Sequence, residues 1–144
     1  MAQISSITNG EAMSSVRTKL NDVITNVNLL DPTGWVDYSS TSTVVGWSST
    51  TSKIIRYRII GKQLFFQAYI IGTSNSLNTT FTLPNAAVGI ATSCLIRATN
   101  NGTNITGLFE MISSTVTCYT TVAGAAWTAS GTKTILITSY IEIA

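Results

Sequence analysis

A chain of 144 residues is long enough for one domain with a real core plus a short attachment element, and its net charge of +2, from scattered basic residues, is too thin a footprint for nucleic acid. Only 10 % of the residues are charged, against roughly 25 % in an ordinary soluble domain, so the polar surface falls to Ser and Thr, which supply 41 residues. Mean hydropathy is +0.31, yet no apolar run approaches the roughly 20 residues that a membrane helix needs, and no membrane partner is expected.

The segment Met1 to Ser6 has neither the basic start nor the apolar stretch of a signal peptide, so synthesis in a cytoplasm without a leader is expected. Residues 1–8 read as extended, with Ile4 and Ile7 available for docking. Thr8-Asn9-Gly10-Glu11 reads as a capping box, which predicts a helix over about 9–29. Along it Met13, Val16, Leu20, Val23, Val27 and Leu30 are spaced three, four, three, four, three. That is the a/d rhythm of a coiled coil, narrower than the stripe of a helix packed on its own domain. So short a seam does not hold helices together alone in water and needs help from the next domain or a docking surface. Val and Leu are mixed over a and d and leave the oligomer number open, while Ile24 at e widens the seam beyond a dimer stripe. The other reading is an amphipathic helix lying on its own β domain.

Asp31-Pro32-Thr33-Gly34 ends the helix, because Pro32 lacks an amide and holds Asp31 extended. This divides the chain into an attachment segment with its helix, 1–31, and a β head, 35–144. The clearest hairpin joins residues 54–60 to 64–71 through Gly61-Lys62, suited to a two-residue type II′ turn. Period two puts Ile55, Tyr57 and Ile59 on one face of its first strand and Arg56 and Arg58 on the other. Further strands are expected at 80–84 and near 88–98, 104–112, 114–122 and 132–143, with turns at Asn100-Asn101-Gly102 and Ser113-Ser114. Seven or eight short strands at this spacing predict a mainly β fold, an antiparallel sandwich or jelly roll behind a short helix.

Several of these stretches carry a resemblance. Gly10-Glu11-x-x-x-x-Val16-Arg17-x-Lys19-Leu20-Asn21 resembles the N-terminal segments of bacteriophage tail and fibre proteins. Gly46-Trp47-Ser48, the hairpin with Tyr57, Arg58, Gly61 and Lys62, then Gly72-Thr73-Ser74-Asn75-Ser76 and Phe81-Thr82-Leu83-Pro84 look like the β-sandwich head of phage fibre and receptor-binding proteins. Trp127-x-x-x-Gly131-x-Lys133 before the strand Ile135–Ile143 is similar to the last strand of such heads. The resemblance covers most of the chain as pattern, and none of its motifs is catalytic. It implies a virion protein, a homotrimer with a trimeric coiled coil, attached to other virion proteins by its N-terminus. The length suits a small head fibre, collar fibre or baseplate-tip protein.

Catalysis has little to work with. The chain has no histidine, and its acids are Glu11, Asp22, Asp31, Asp37, Glu110 and Glu142. A glycosidase needs two facing carboxylates. Asp37 with Glu110, or Glu110 with Glu142, are the available pairs, and nothing in their spacing supports either. No catalytic residue, metal or cofactor is expected. Cys94 and Cys118 lack metal-ligand spacing and read as two buried free thiols, with a cross-strand disulfide as the alternative. Because phage heads of this kind recognise surface sugars, Trp35, Tyr38, Tyr119 and Trp127 are candidate stacking residues, with Trp47 placed rather in a structural corner. Asn100, Asn101 and Asn104 form a candidate polar loop. For the aromatics the other reading is core or inter-subunit packing; for the asparagines it is a solvated hairpin tip. Arg56 and Arg58 are expected to pair with Asp37 or Glu110, across strands or subunits, or to form a solvated face. The expected function is a virion appendage whose head contacts a host-surface glycan. Its alternatives are a capsid decoration, collar or adaptor protein binding only virion proteins, and a free lectin-like module.

Overall fold

The computed structural model describes residues 12–30, 34–84 and 92–143, with helix side chains described as far as Val23. The chain forms two compact units, Met1–Gly34 and Trp35–Ala144. The first contains the helix α1 (Met13–Leu30). It opens at Ala12, whose carbonyl accepts from the amides of Ser15 and Val16 at 2.9 and 3.1 Å. Within the predicted span of about 9–29, the described helix begins at Met13. The capping box, the docking residues Ile4 and Ile7, and Asp31-Pro32-Thr33 lie outside the described residues. In the heptad row Met13 is 76 % and Leu20 52 % exposed, Val16 and Val23 are half-buried, and the side chains of Val27 and Leu30 lie outside the described set.

Among the described residues the second unit is a nine-stranded sheet of β1 (Val36–Asp37), β2 (Val44–Val45), β3 (Trp47–Ile60), β4 (Gln63–Ser74), β5 (Thr80–Thr82), β6 (Thr92–Asn100), β7 (Thr103–Ile112), β8 (Thr115–Tyr119) and β9 (Thr132–Glu142). Every neighbouring pair is antiparallel, in the order β1-β3-β4-β9-β6-β7-β8-β5-β2. The mainly β expectation is therefore met, by one sheet rather than two hydrogen-bonded ones.

Local chemistry sets the hairpins. Gly61-Lys62 closes β3 onto β4 with Gly61 at φ 60°, the left-handed first position that a type II′ turn requires. Asn101 and Gly102, at φ 49° and 79°, form the two-residue turn from β6 to β7, in keeping with type I′. The β8 strand stops at Tyr119, short of the expected 122, where the backbone turns into a loop as Thr120 N–H donates to the Ala125 carbonyl.

The sheet curls until its two ends meet. β2 ends the strand order on one side and β3 stands second from the other, yet only Gly46 separates them in sequence. Gly46 takes φ 93°, and a Cβ there would strike the Asn78 carbonyl. Two register irregularities, Trp47/Ser49 and Thr50/Ser52, bend the start of β3. Curling buries one face of the sheet on itself. Phe66 of β4 meets Phe109 of β7 edge-on, with ring centroids 5.6 Å apart, and Phe81 of β5 at 6.4 Å. Around them Ile55, Leu64, Ile70, Met111, Val116, Ile135 and Ile141 are buried, in strict alternation along β4 and in alternation broken only at half-buried Ser139 along β9. Burying each such side chain contributes about 1.5–3 kcal/mol.

Candidate functional site

The outward face of the same strands is the candidate site. Alternation that sends Ile55 into the core sends Ile54, Arg56 and Arg58 out. Register then fixes who meets whom: Ile54 faces Tyr69, Tyr69 faces Leu136, Leu136 faces Arg97 and Arg97 faces Thr106, a row across five strands. One step along, Arg56 faces Gln67 and Gln67 faces Thr138. Directly opposed side chains in an antiparallel sheet lie about 4.5–5.5 Å apart at Cβ. Two shallow depressions result, and they share Tyr69 and Leu136. Ile54, Arg56, Gln67 and Thr138 line the first, and Arg97, Thr99, Asn104 and Thr134 the second. Tyr69 is 37 % and Leu136 41 % exposed.

The arginines are held by aromatics rather than by acids. Arg56 and Arg58 each lie 5.3 Å from the Trp35 ring, and Arg58 lies 5.3 Å from Phe65 as well. Phe65 in turn packs on Tyr140 at 5.7 Å. Arg56 Nε donates to Gln67 Oε1 at 2.8 Å. Asp37 is the register neighbour of Arg56, but its carboxylate accepts from Ser39 N–H at 2.8 Å, and the bonds from Ser39 hold its carboxyl below the usual value. Glu110 accepts from the Tyr119 hydroxyl at 3.2 Å. Within the chain, Arg56 and Arg58 therefore stack on Trp35, while Asp37 and Glu110 are hydrogen-bonded to Ser39 and Tyr119. Asp37 and Glu110 stand on β1 and β7, with four strands between them.

The chain matches no family model, no curated protein and no solved structure.

The structure scatters the sugar-stacking candidates. Trp127 is 2 % exposed and its Nε1 donates to the Cys118 carbonyl at 2.7 Å, so its ring offers no face to a ligand. Tyr38 packs against the core and meets Tyr57 edge-on at 5.9 Å. Tyr119 is tied to Glu110, and desolvation together with that carboxylate pushes its phenol up. Trp35 reaches the site only as the platform under Arg56 and Arg58. Of the asparagines, Asn100 accepts from the Thr128 hydroxyl at 2.7 Å, and Asn101 donates its amide to the Thr132 carbonyl at 2.7 Å. The first fastens the β6–β7 turn to the segment before β9 and the second to the start of β9. Asn104 alone lines the outer face. Tyr69, Arg97, Gln67 and Thr138 were missed. Their outward parity is legible in sequence, but their neighbourhood depends on pairing β4 and β6 with β9.

A second cluster was also missed. Lys133 is wholly buried, and its ammonium donates to Thr79 Oγ1 at 2.6 Å. It lies 4.6 Å from the Trp47 ring and 5.2 Å from Trp127. Burial pulls its pKa down to about 8, partly opposed by Cys118, whose own thiol is pushed well up by burial. With no access to solvent, this is a fastening between β9, the start of β3 and the loops beside them. The cysteines are free: Cys118 is buried, while Cys94, expected to be buried, is exposed where β6 and β9 diverge beyond the Arg97–Leu136 pair. β7 runs between their strands, about 10 Å of sheet, which is too far for a disulfide. Among the described residues no three His, Cys, Asp or Glu side chains gather as a metal site, and no helix is long and apolar enough to cross a membrane.

Proposed function

We propose that the protein is a homo-oligomeric virion appendage whose β head turns its outer sheet face to a host-surface glycan. In this reading the N-terminal segment attaches to other virion proteins, α1 joins three copies through its heptad row as a trimeric coiled coil, and the curled sheet serves as the expected sandwich head. The observation that carries the glycan assignment is the exposed Tyr69–Leu136 pair bordered by amide, hydroxyl and guanidinium groups. A sugar offers an apolar ring face and a fringe of hydroxyls, so it needs a flat apolar patch with planar donors and acceptors beside it. No pair of acids stands across these depressions, which favours binding over turnover. The assembly assignment is supported by Met13 and Leu20, exposed on a row of otherwise coiled-coil character.

The test is light scattering of the full chain beside Leu20→Asp, and retention of wild type and Tyr69→Ala on immobilised bacterial surface polysaccharides. A trimer mass that falls in Leu20→Asp supports the assembly, and a wild-type monomer refutes it. Binding that weakens in Tyr69→Ala supports the face. A second reading, a capsid decoration, collar or adaptor protein, is favoured by Leu95 and Tyr140, which are 59 % and 57 % exposed and extend the apolar surface. It predicts retention on a purified virion component and none on polysaccharide.

A further inference from the structure

We infer that the polysaccharide this face receives is acidic, and that Arg56 and Arg97 engage separate negative groups of one chain on either side of Tyr69 and Leu136. The inference rests on the glycan reading and specifies its ligand class. Each depression holds one arginine: Arg56 lines the first and Arg97 the second. Arg97 faces no acid, and Arg56 faces only Asp37. Arg97 stands between Leu136 and Thr106 in its row. Opposite Arg56, the Asp37 carboxylate is turned to Ser39 N–H, and Glu110 is taken by Tyr119. Arg58, against the same Trp35 ring as Arg56, adds a second positive charge beside the first depression.

Arg56 and Arg58 beside the single carboxylate of Asp37, and Arg97 with no acid facing it, leave an excess of positive charge that raises the local potential and draws an anion from outside. A guanidinium also matches a carboxylate or phosphate in shape, through two parallel hydrogen bonds. Arg56 spends its Nε on Gln67, which fixes the fork and leaves its terminal nitrogens for a ligand. The two arginines are three strands apart and offset by two residues along the sheet, about 16 Å at sheet spacing. One charged monosaccharide does not bridge that distance, so the ligand is a polymer carrying repeated charge, with sugar rings lying over Tyr69 and Leu136 between the arginines.

The experiment is a binding array read with the full chain. It carries uronate-bearing bacterial polysaccharides, each beside its carboxyl-reduced form, phosphate-bearing polysaccharides, neutral polysaccharides and a duplex DNA control. Retention of the uronate or phosphate members is expected, with the two arms separating the sources of negative charge. Loss of at least about tenfold in affinity is expected on carboxyl reduction and in the Arg56→Gln/Arg97→Gln double variant, as for hydrogen bonds to charged groups. Arg97→Gln alone, checked for its fold by circular dichroism, serves where the double variant does not fold and should weaken binding about tenfold. Neutral and carboxyl-reduced members bound as well as acidic ones overturn the acidic assignment and leave the glycan reading standing. No polysaccharide retained overturns both. Duplex DNA bound as tightly as the uronate members overturns the assignment to a polysaccharide.

Discussion

Replacing Lys133 with methionine removes a buried ammonium while keeping most of its volume. In the native protein burial depresses the lysine to about 8, against 10.5 for the free group. The sign follows from linkage: between these two values the unfolded chain binds more protons than the folded one, so stability rises with pH. From pH 7 to pH 10 the lysine alone contributes a rise of about 2.5 kcal/mol, at 1.36 kcal/mol per pKa unit. Cys118 acts in the opposite direction above pH 9, since its thiol stays protonated in the fold and ionises in the unfolded chain. It is present in both proteins, so the difference between wild type and Lys133→Met isolates the lysine. Urea unfolding of both at pH 7 and pH 10 measures that difference. It should move by about 2.5 kcal/mol in favour of wild type as pH rises. A difference that stays constant refutes the reasoning, for it would mean that Thr79, Trp47 and Trp127 fully offset the desolvation of the charge.

Phe66→Ala empties the meeting point of β4, β5 and β7 and should cost about 3–5 kcal/mol in chemical denaturation. Gly61→Ala, at φ 60° in open space, should lower stability by about 1–2 kcal/mol, as expected for a left-handed alanine. Gly46→Ala should cost clearly more in the same assay, because its Cβ meets the Asn78 carbonyl as well. Titration of the native protein with a thiol reagent should modify Cys94 alone, and both cysteines after denaturation; two fast thiols in the native protein would contradict the burial of Cys118.

What was legible in the sequence was local. The helix follows from the spacing of Met13 to Leu30, and the hairpins from Gly61-Lys62 and Asn101-Gly102, because a turn is decided by the two residues that make it. The alternation of Ile54 to Ile60 told inside from outside correctly for Ile55 and Arg56. Non-local pairing was illegible. Nothing in β2 announces β5 as its partner, and nothing in β6 announces β9, so neither the curl nor the row from Ile54 to Thr106 followed from pattern. The burial of Lys133 was illegible for a different reason. Lysine is almost never fully buried unless paired, and its partners Thr79, Trp47 and Trp127 come from three separate parts of the chain. Trp127, set among alanines and glycine, resembled a loop aromatic until the Cys118 carbonyl claimed its indole.

The position of β9 bears on how the protein is made. It is synthesised after the eight other strands, yet it lies in the middle of the sheet, between β4 and β6. Between completion of β4 at Ser74 and the start of β9 at Thr132, a ribosome working at roughly 5–20 residues per second takes about 3–12 s. Throughout that interval β4 presents one bare edge, with Phe66 and Ile70 awaiting their cover. Hairpins can form earlier, but the sheet closes only once β9 has been made. A chain interrupted before β9 exposes two open, apolar strand edges of the kind that recruits other chains into aggregates.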